Sequence, residues 1–264
     1  MALRTDRIGF GNLTLVQDPD QFCYGVDAVL LAHFAACRAA DAKAICDLGS
    51  GTGIIPLILS HKLPAASLAG VEVQPWAAEL FRQNVQDNGL ADRIQVLEGN
   101  VTALTRAGKD AGANTGVDHD ATSPWQSLGG TFDAVTCNPP YTAERNGLQS
   151  HSQGKAIARH EILASLEEFL QGASFLLRHR GDLFLIHRPR RLTDLLCACR
   201  QVGIEPKTLQ LLSGHREEPP NLILLHGVKG GGKELTILPP GYLRERDGSW
   251  SLQALEAYER QGKL

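Results

Sequence analysis

From Lys43 onward, short apolar runs alternate with stretches whose apolar residues recur at helical spacing, the pattern of successive βαβ units and hence of a mainly parallel sheet covered on both faces. The pattern predicts a strand at Ala44–Leu48, a helix at Ile54–Lys62 and a strand at Ser67–Val73. A helix over Pro75–Asn88 follows, opened by proline in its first turn and closed by Gly89, and then strands at Ile94–Leu97 and Phe132–Cys137. Helical spacing returns from Ile162 to Leu177, and Gly181–His187 reads as a fifth strand. After a helix at Arg191–Val202, two extended segments, Lys207–Leu212 and Asn221–Val228, are joined without room for a crossover helix and should pair antiparallel. The predicted fold is therefore α/β and doubly wound, with a seven-stranded, mostly parallel sheet whose last strand is antiparallel. Leu235–Leu238 would add a short edge, and the tail after Tyr242 reads as a polar helix.

One domain is expected over residues 1–264: an N-terminal cap segment at 1–42, a core at 43–240 and a C-terminal tail at 241–264. The core is interrupted at 101–131 by a polar insertion, Thr102 to Gly130, rich in Gly, Asp, Thr and Ser, which predicts a mobile loop. The formal charge of -3 gives no overall positive field, so any contact with a polyanion must be local. The first residues lack a basic segment followed by an apolar core, and the apolar stretch near Ala28–Ala36 is too short to span a bilayer, so a soluble, cytoplasmic protein is expected. Six cysteines without a C-x-x-C pair predict reduced, mostly buried thiols and no metal site, and Cys197-Ala198-Cys199 on a helix points its two sulfurs apart.

Asp47-Leu48-Gly49-Ser50-Gly51-Thr52-Gly53 lies where the first core strand turns into a helix. Glycines there let backbone approach a ligand closely, although such turns also serve simply to pack helix on strand. Glu72, at the end of the next strand, can accept hydrogen bonds from both ribose hydroxyls of an adenosine-containing cofactor. Both features fit a dinucleotide dehydrogenase as well as a methyltransferase, and the fourth strand discriminates between them. It ends in Asn138-Pro139-Pro140-Tyr141, at the sheet edge where doubly wound folds place ligands. An amine conjugated to a π system is a poor nucleophile because its lone pair is delocalised. An asparagine side-chain oxygen and a proline carbonyl can accept both of its N–H bonds and turn the lone pair toward an in-line methyl donor. The two prolines stiffen that grip, and Tyr141 would stack on the planar group, which for a base means extrusion from its neighbours. This constellation reads as transfer of a methyl group to an amine.

The same motifs resemble those of amino-methyltransferases that use S-adenosylmethionine. With Tyr24-Gly25-Val26-Asp27-Ala28-Val29-Leu30-Leu31, Arg159-His160-Glu161 and Gly227-Val228-Lys229-Gly230-Gly231, the chain from about residue 8 to 240 is similar to the bacterial tRNA(Val) adenine-N6 methyltransferase family. The resemblance implies a class I, Rossmann-like fold and methylation of the adenosine beside the anticodon of valine tRNA. S-Adenosylmethionine would be held by Asp47, Gly49, Ser50, Gly51, Gly53 and Glu72, with Tyr24, Asp27 and Asn100 adjoining, and the target amine by Asn138, Pro139, Pro140 and Tyr141. Asn100 stands where relatives often carry an aspartate that binds the cofactor's adenine amine, and the insertion is longer than usual for the family. A protein-glutamine methyltransferase acting on release factors shares the N-P-P-Y signature, but only about 40 residues precede the first core strand, little space for such an enzyme's recognition domain. An rRNA or DNA amino-methyltransferase is the remaining alternative. Local basic groups, Arg178, Arg180, Arg188, Arg190 and Arg191 around strand five and Lys229 and Lys233 in a glycine-rich loop, are candidate contacts to RNA phosphates.

Overall fold

The computed structural model describes residues 3–21, 23–104, 125–140 and 164–260. Tyr141, Arg159, His160, Glu161 and most of the insertion lie outside them. An antiparallel hairpin, β1 (Arg4–Arg7) and β2 (Thr14–Gln17), leads into helix α1 (Val26–Arg38). The core then runs β3 (Ala44–Leu48), α2 (Ile54–Lys62), β4 (Ser67–Glu72), α3 (Pro75–Asp87), β5 (Ile94–Glu98) and β6 (Phe132–Cys137). It continues as α4 (Leu166–Leu176), β7 (Leu177–His187), α5 (Leu192–Gln201), β8 (Ile204–His215) and β9 (Leu222–Lys229). Two short strands, β10 (Thr236–Ile237) and β11 (Gly241–Arg244), and helix α6 (Leu252–Ala257) end the described chain.

The seven predicted strands lie in the order β8-β9-β7-β6-β3-β4-β5. Only β9 among them is antiparallel to its neighbours, as the missing crossover between it and β8 requires. Strand residues alternate between two apolar layers. Ile45, Leu68, Ala134, Phe184 and Ile186 face α1, α2 and α3, whereas Cys46, Ala69, Val135, Leu183 and Leu185 face α4 and α5. Near-continuous apolar strands are what a sheet buried on both sides demands.

The differences from expectation have local causes. The helical spacing from Ile162 overshoots at its C-terminal end because Leu177 is apolar in either register. Leu177 is extended and already pairs with Phe132, and Arg180 takes a φ of 64° in the irregular stretch that follows. At the other end Ser165 closes a capping box with Glu168 and so begins the helix at Leu166. The insertion is not loop throughout: residues 101–104 are helical with Leu104 fully buried, and Trp125 fills the space beside Gly99. The tail is not peripheral either. β11 pairs parallel with β8, making the sheet nine-stranded together with β10, and α6 packs against α1 with Ala254 and Ala257 fully buried. Thiol burial is uneven: Cys46, Cys137 and Cys199 are buried, Cys37 and Cys197 exposed, and the two sulfurs of the C-x-C pair do lie in different environments.

Because Ala257 sits inside the α1 layer, Ala257→Asp should destabilise the protein by roughly 3 kcal/mol or more, the cost of an unpaired buried charge. Thermal melting checks this; an unchanged midpoint would make the C-terminal helix dispensable.

Candidate cofactor and amine site

Parallel register brings the functional turns together. Leu48 of β3 is paired with Val71 of β4 on one side and with Cys137 of β6 on the other. The residues that follow, Gly49, Glu72 and Asn138, therefore leave adjacent strands at the same carboxyl rim, with strands spaced about 4.8 Å apart. His187 and Arg188 leave β7 at the next position along that rim.

The glycine loop is held by the protein's own bonds. The Gly49 and Ser50 amides both donate to the Val71 carbonyl at 2.9 and 3.0 Å, and the Gly51 amide donates to Glu72 Oε2 at 2.8 Å. Gly49, Gly51 and Gly53 all have positive φ, 73°, 55° and 91°. Their roles differ. A Cβ on Gly53 would lie 2.0 Å from the Phe81 ring, and one on Gly70 would meet both Phe81 and Ser50 Oγ, so these two glycines serve helix packing. Among the described residues, nothing lies within 4 Å of a Cβ placed on Gly51. It alone of the three shows the clearance that close approach of a ligand requires.

Glu72 is 4% exposed, and its carboxylate bridges two turns: Oε2 accepts from Gly51, and Oε1 accepts from the Gln74 amide at 2.8 Å. Oε1 also accepts a longer bond, 3.4 Å, from the Gln74 side-chain amide, while Oε2 keeps a second lone pair. Asp47 is 1% exposed; its Oδ1 accepts from Thr136 Oγ1 at 2.6 Å across the β3–β6 pair, while its buried Oδ2 has no hydrogen-bond partner among the described residues. Burial pushes its pKa up to about 7, against the Thr136 hydrogen bond that favours the ionised form, and the nearby Glu72 adds to the rise. An orphaned carboxylate oxygen beside an open glycine suits a cationic donor, such as the ammonium of an amino-acid moiety.

The other expected residues distribute unevenly. Asn138 is partly buried, Pro139 buried and Pro140 exposed. Asn100 uses its Oδ1 to cap residues 101–104, accepting from the Thr102 amide at 3.0 Å. Tyr24 is half-buried against the α1 layer, and burial together with nearby Asp6 raises its pKa. Asp27 Oδ1 accepts from the Ala28 amide at 3.0 Å in the first turn of α1. Arg190 is exposed beyond β7, Arg188 donates to the Asn221 carbonyl at 3.1 Å and Arg191 pairs with Asp194 at 2.7 Å.

Lys229 departs from its expected role. Its ammonium turns inward and donates to the Ser174 and Leu177 carbonyls at 2.6 and 2.7 Å, closing the C-terminus of α4, and burial lowers its pKa. Because β9 runs antiparallel, Lys229 and the exposed Lys233 stand at the opposite edge of the sheet from Asn138, roughly 16 Å along the strands for Lys229. The sequence pattern also missed Thr136 and Phe81. Only Thr136 carried a readable signal, sharing a strand face with Asn138 two positions on.

A raised carboxyl pKa in the fold means that the folded protein holds the Asp47 proton more tightly than the unfolded chain. The associated stability is present below about pH 4 and is lost as pH rises toward about 7. The affinity difference is roughly a thousandfold, at most about 4 kcal/mol. Asp47→Asn should thus melt above the unaltered protein by a margin that widens from pH 5 to pH 8, and a margin independent of pH would refute the assignment.

Residues 12–111 match the family model for the methyltransferase small domain. A tRNA1(Val) (adenine(37)-N6)-methyltransferase from Porphyromonas gingivalis W83 is 30% identical over 224 residues, covering 83% of this chain and 80% of its own length. The enzyme of the same name from Histophilus somni 129Pt is 27% identical over 79% and 83% of the two chains. Among solved structures, a predicted O-methyltransferase from Agrobacterium tumefaciens superposes with a TM-score of 0.64 at 23% identity, over 88% of this chain and 95% of the other. The ribosomal protein L11 methylase of Lactobacillus delbrueckii gives 0.52 at 17% identity, over 81% and 84%. These two likenesses concern the fold: a Rossmann-like sheet with flanking helices. Sequence kinship over most of both chains goes further, and the chain belongs to the tRNA1(Val) (adenine(37)-N6)-methyltransferase family.

Proposed function

We propose that this protein uses S-adenosylmethionine to methylate N6 of an adenosine in tRNA, position 37 of valine tRNA being the target named for its relatives. The observation that carries the reading is the adjacency of Asn138, Gly49 and Glu72 on one rim, set by the pairing of Leu48 with Cys137 and Val71. In this reading Glu72 receives the ribose hydroxyls on its carboxylate, with the long Gln74 side-chain bond to Oε1 giving way, Asp47 Oδ2 neutralises the amino-acid ammonium, and Gly51 supplies clearance. S-Adenosylmethionine, when bound, supplies a methyl group activated on a sulfonium sulfur.

The adenine amine must be extruded from its stack to reach the rim. The Asn138 side-chain oxygen and the Pro139 carbonyl accept its two N–H bonds, which directs the nitrogen lone pair along the line of attack. The new N–C bond replaces the methyl–sulfur bond, whose electron pair would stay on sulfur as a neutral thioether; the nitrogen becomes cationic and then releases a proton to water, so no strong base is needed beforehand. Arg188, Arg190 and Arg191 share the rim and can meet phosphates flanking the target. Lys229 and Lys233 lie on the far edge and have no part in this contact.

Incubation with methyl-labelled cofactor and total tRNA from cells lacking the protein should place label on N6-methyladenosine at position 37 of valine tRNA; label in protein alone would overturn the reading. Asn138→Ala should reduce transfer by at least about a hundredfold while S-adenosylhomocysteine still binds, and Glu72→Ala should weaken cofactor binding first. Calorimetry beside initial rates separates the two, and equal losses from both variants would contradict the division of roles. Charge reversal at Arg190 and Arg191 should weaken tRNA binding and flatten its dependence on salt, whereas Lys229→Ala should lower the melting temperature and leave the salt slope unchanged.

A further inference from the structure

The N-terminal hairpin docks on α3 through two asparagines one helical turn apart. Asn84 Oδ1 accepts from the Val16 amide at 2.6 Å, and its Nδ2 donates to the Val16 carbonyl at 3.0 Å. Asn88 repeats the pattern on Thr14, accepting at 2.9 Å and donating at 2.8 Å. Four helical residues rise about 6 Å and two strand residues about 6.6 Å, so an i, i+4 pair of amides can stand in for a neighbouring strand along β2.

The two asparagines then diverge. The remaining bond of Asn88 goes back to the Asn84 carbonyl at 2.7 Å, within its own helix. Asn84, fully buried, donates instead to the Thr52 carbonyl at 2.9 Å, inside the glycine loop. Phe81, three residues earlier on the same helical face, fills the volume under Gly53 and Gly70. The loop is thereby held at Gly51 by Glu72, at Gly53 by Phe81 and at Thr52 by Asn84.

We propose that Asn84 is a positioning residue for the cofactor: its amide couples the N-terminal hairpin to the Thr52 carbonyl and so sets the curvature of the Gly49–Gly53 turn that receives S-adenosylmethionine. This rests on the proposed function of that turn. Losing the amide leaves the Thr52 carbonyl and both polar groups of Val16 buried without partners, and the turn loses its tie at the residue after the open glycine. Losing the Asn88 amide loosens the same hairpin but leaves the turn's own bonds in place.

The test compares Asn84→Ala with Asn88→Ala by calorimetric titration with S-adenosylhomocysteine, below the melting transition of each. Both variants should melt lower than the unaltered protein. Only Asn84→Ala should raise Kd, by about tenfold, and in turnover it should raise KM for S-adenosylmethionine more than it lowers kcat. Equal affinity losses in the two variants, or none in Asn84→Ala, would overturn the proposal and leave a purely structural strap. Should Asn84→Ala fail to fold, amide exchange in the unaltered protein decides. Saturating S-adenosylhomocysteine should slow exchange of the Val16 amide several-fold more than that of the Thr14 amide, by the reciprocity of coupled sites; equal slowing of the two, or none at Val16, would overturn it. Failure of the unaltered protein to bind S-adenosylhomocysteine at all would instead sink the functional reading and this inference with it.

Discussion

Everything at the site depends on the in-register parallel pairing of β3 with β4 and β6. Parallel strands end together, so three chain reversals far apart in sequence open onto one edge within two strand spacings. The edge is polar because backbone groups beyond the last ladder bonds need partners. Here several of these partners are the site's own components: the Val71 carbonyl receives two loop amides, and Glu72 receives a third. The loop is consequently shaped by bonds that also close the sheet.

Asp47 shows the tension in this arrangement. Its side chain lies on the sheet face shared with Thr136, where one oxygen is satisfied and the other is not. A carboxylate without a cationic partner at such depth opposes folding near neutral pH. The same deficiency fits the proposed pairing with a cofactor's ammonium, so a destabilised residue stands where the proposed binding calls for negative charge.

The outer segments form a frame around this edge. The hairpin is fastened to α3 by asparagine amides, and α6 is capped by Ser251 and packed on α1. The two basic groups that seem equivalent along the chain are separated by the sheet itself. Arg188, Arg190 and Arg191 follow a strand running toward the site, and Lys229 follows one running away from it.

By itself the sequence determined the layer architecture, the strand order's antiparallel exception and the family, because hydrophobic period, short connections and contiguous motifs are local properties. The glycine turn, Glu72 and Asn138-Pro139-Pro140 were legible for the same reason. What only the tertiary structure decided were pairwise facts between distant residues: Thr136 on Asp47, Phe81 under Gly53, Asn84 on Thr52, and the inward turn of Lys229. The β1–β2 hairpin, the C-terminal strand β11 and the packing of the C-terminal helix on α1 escaped too, since short polar segments become ordered only by the surfaces they meet. Composition records which groups a chain possesses, whereas direction and register decide which of them face one another.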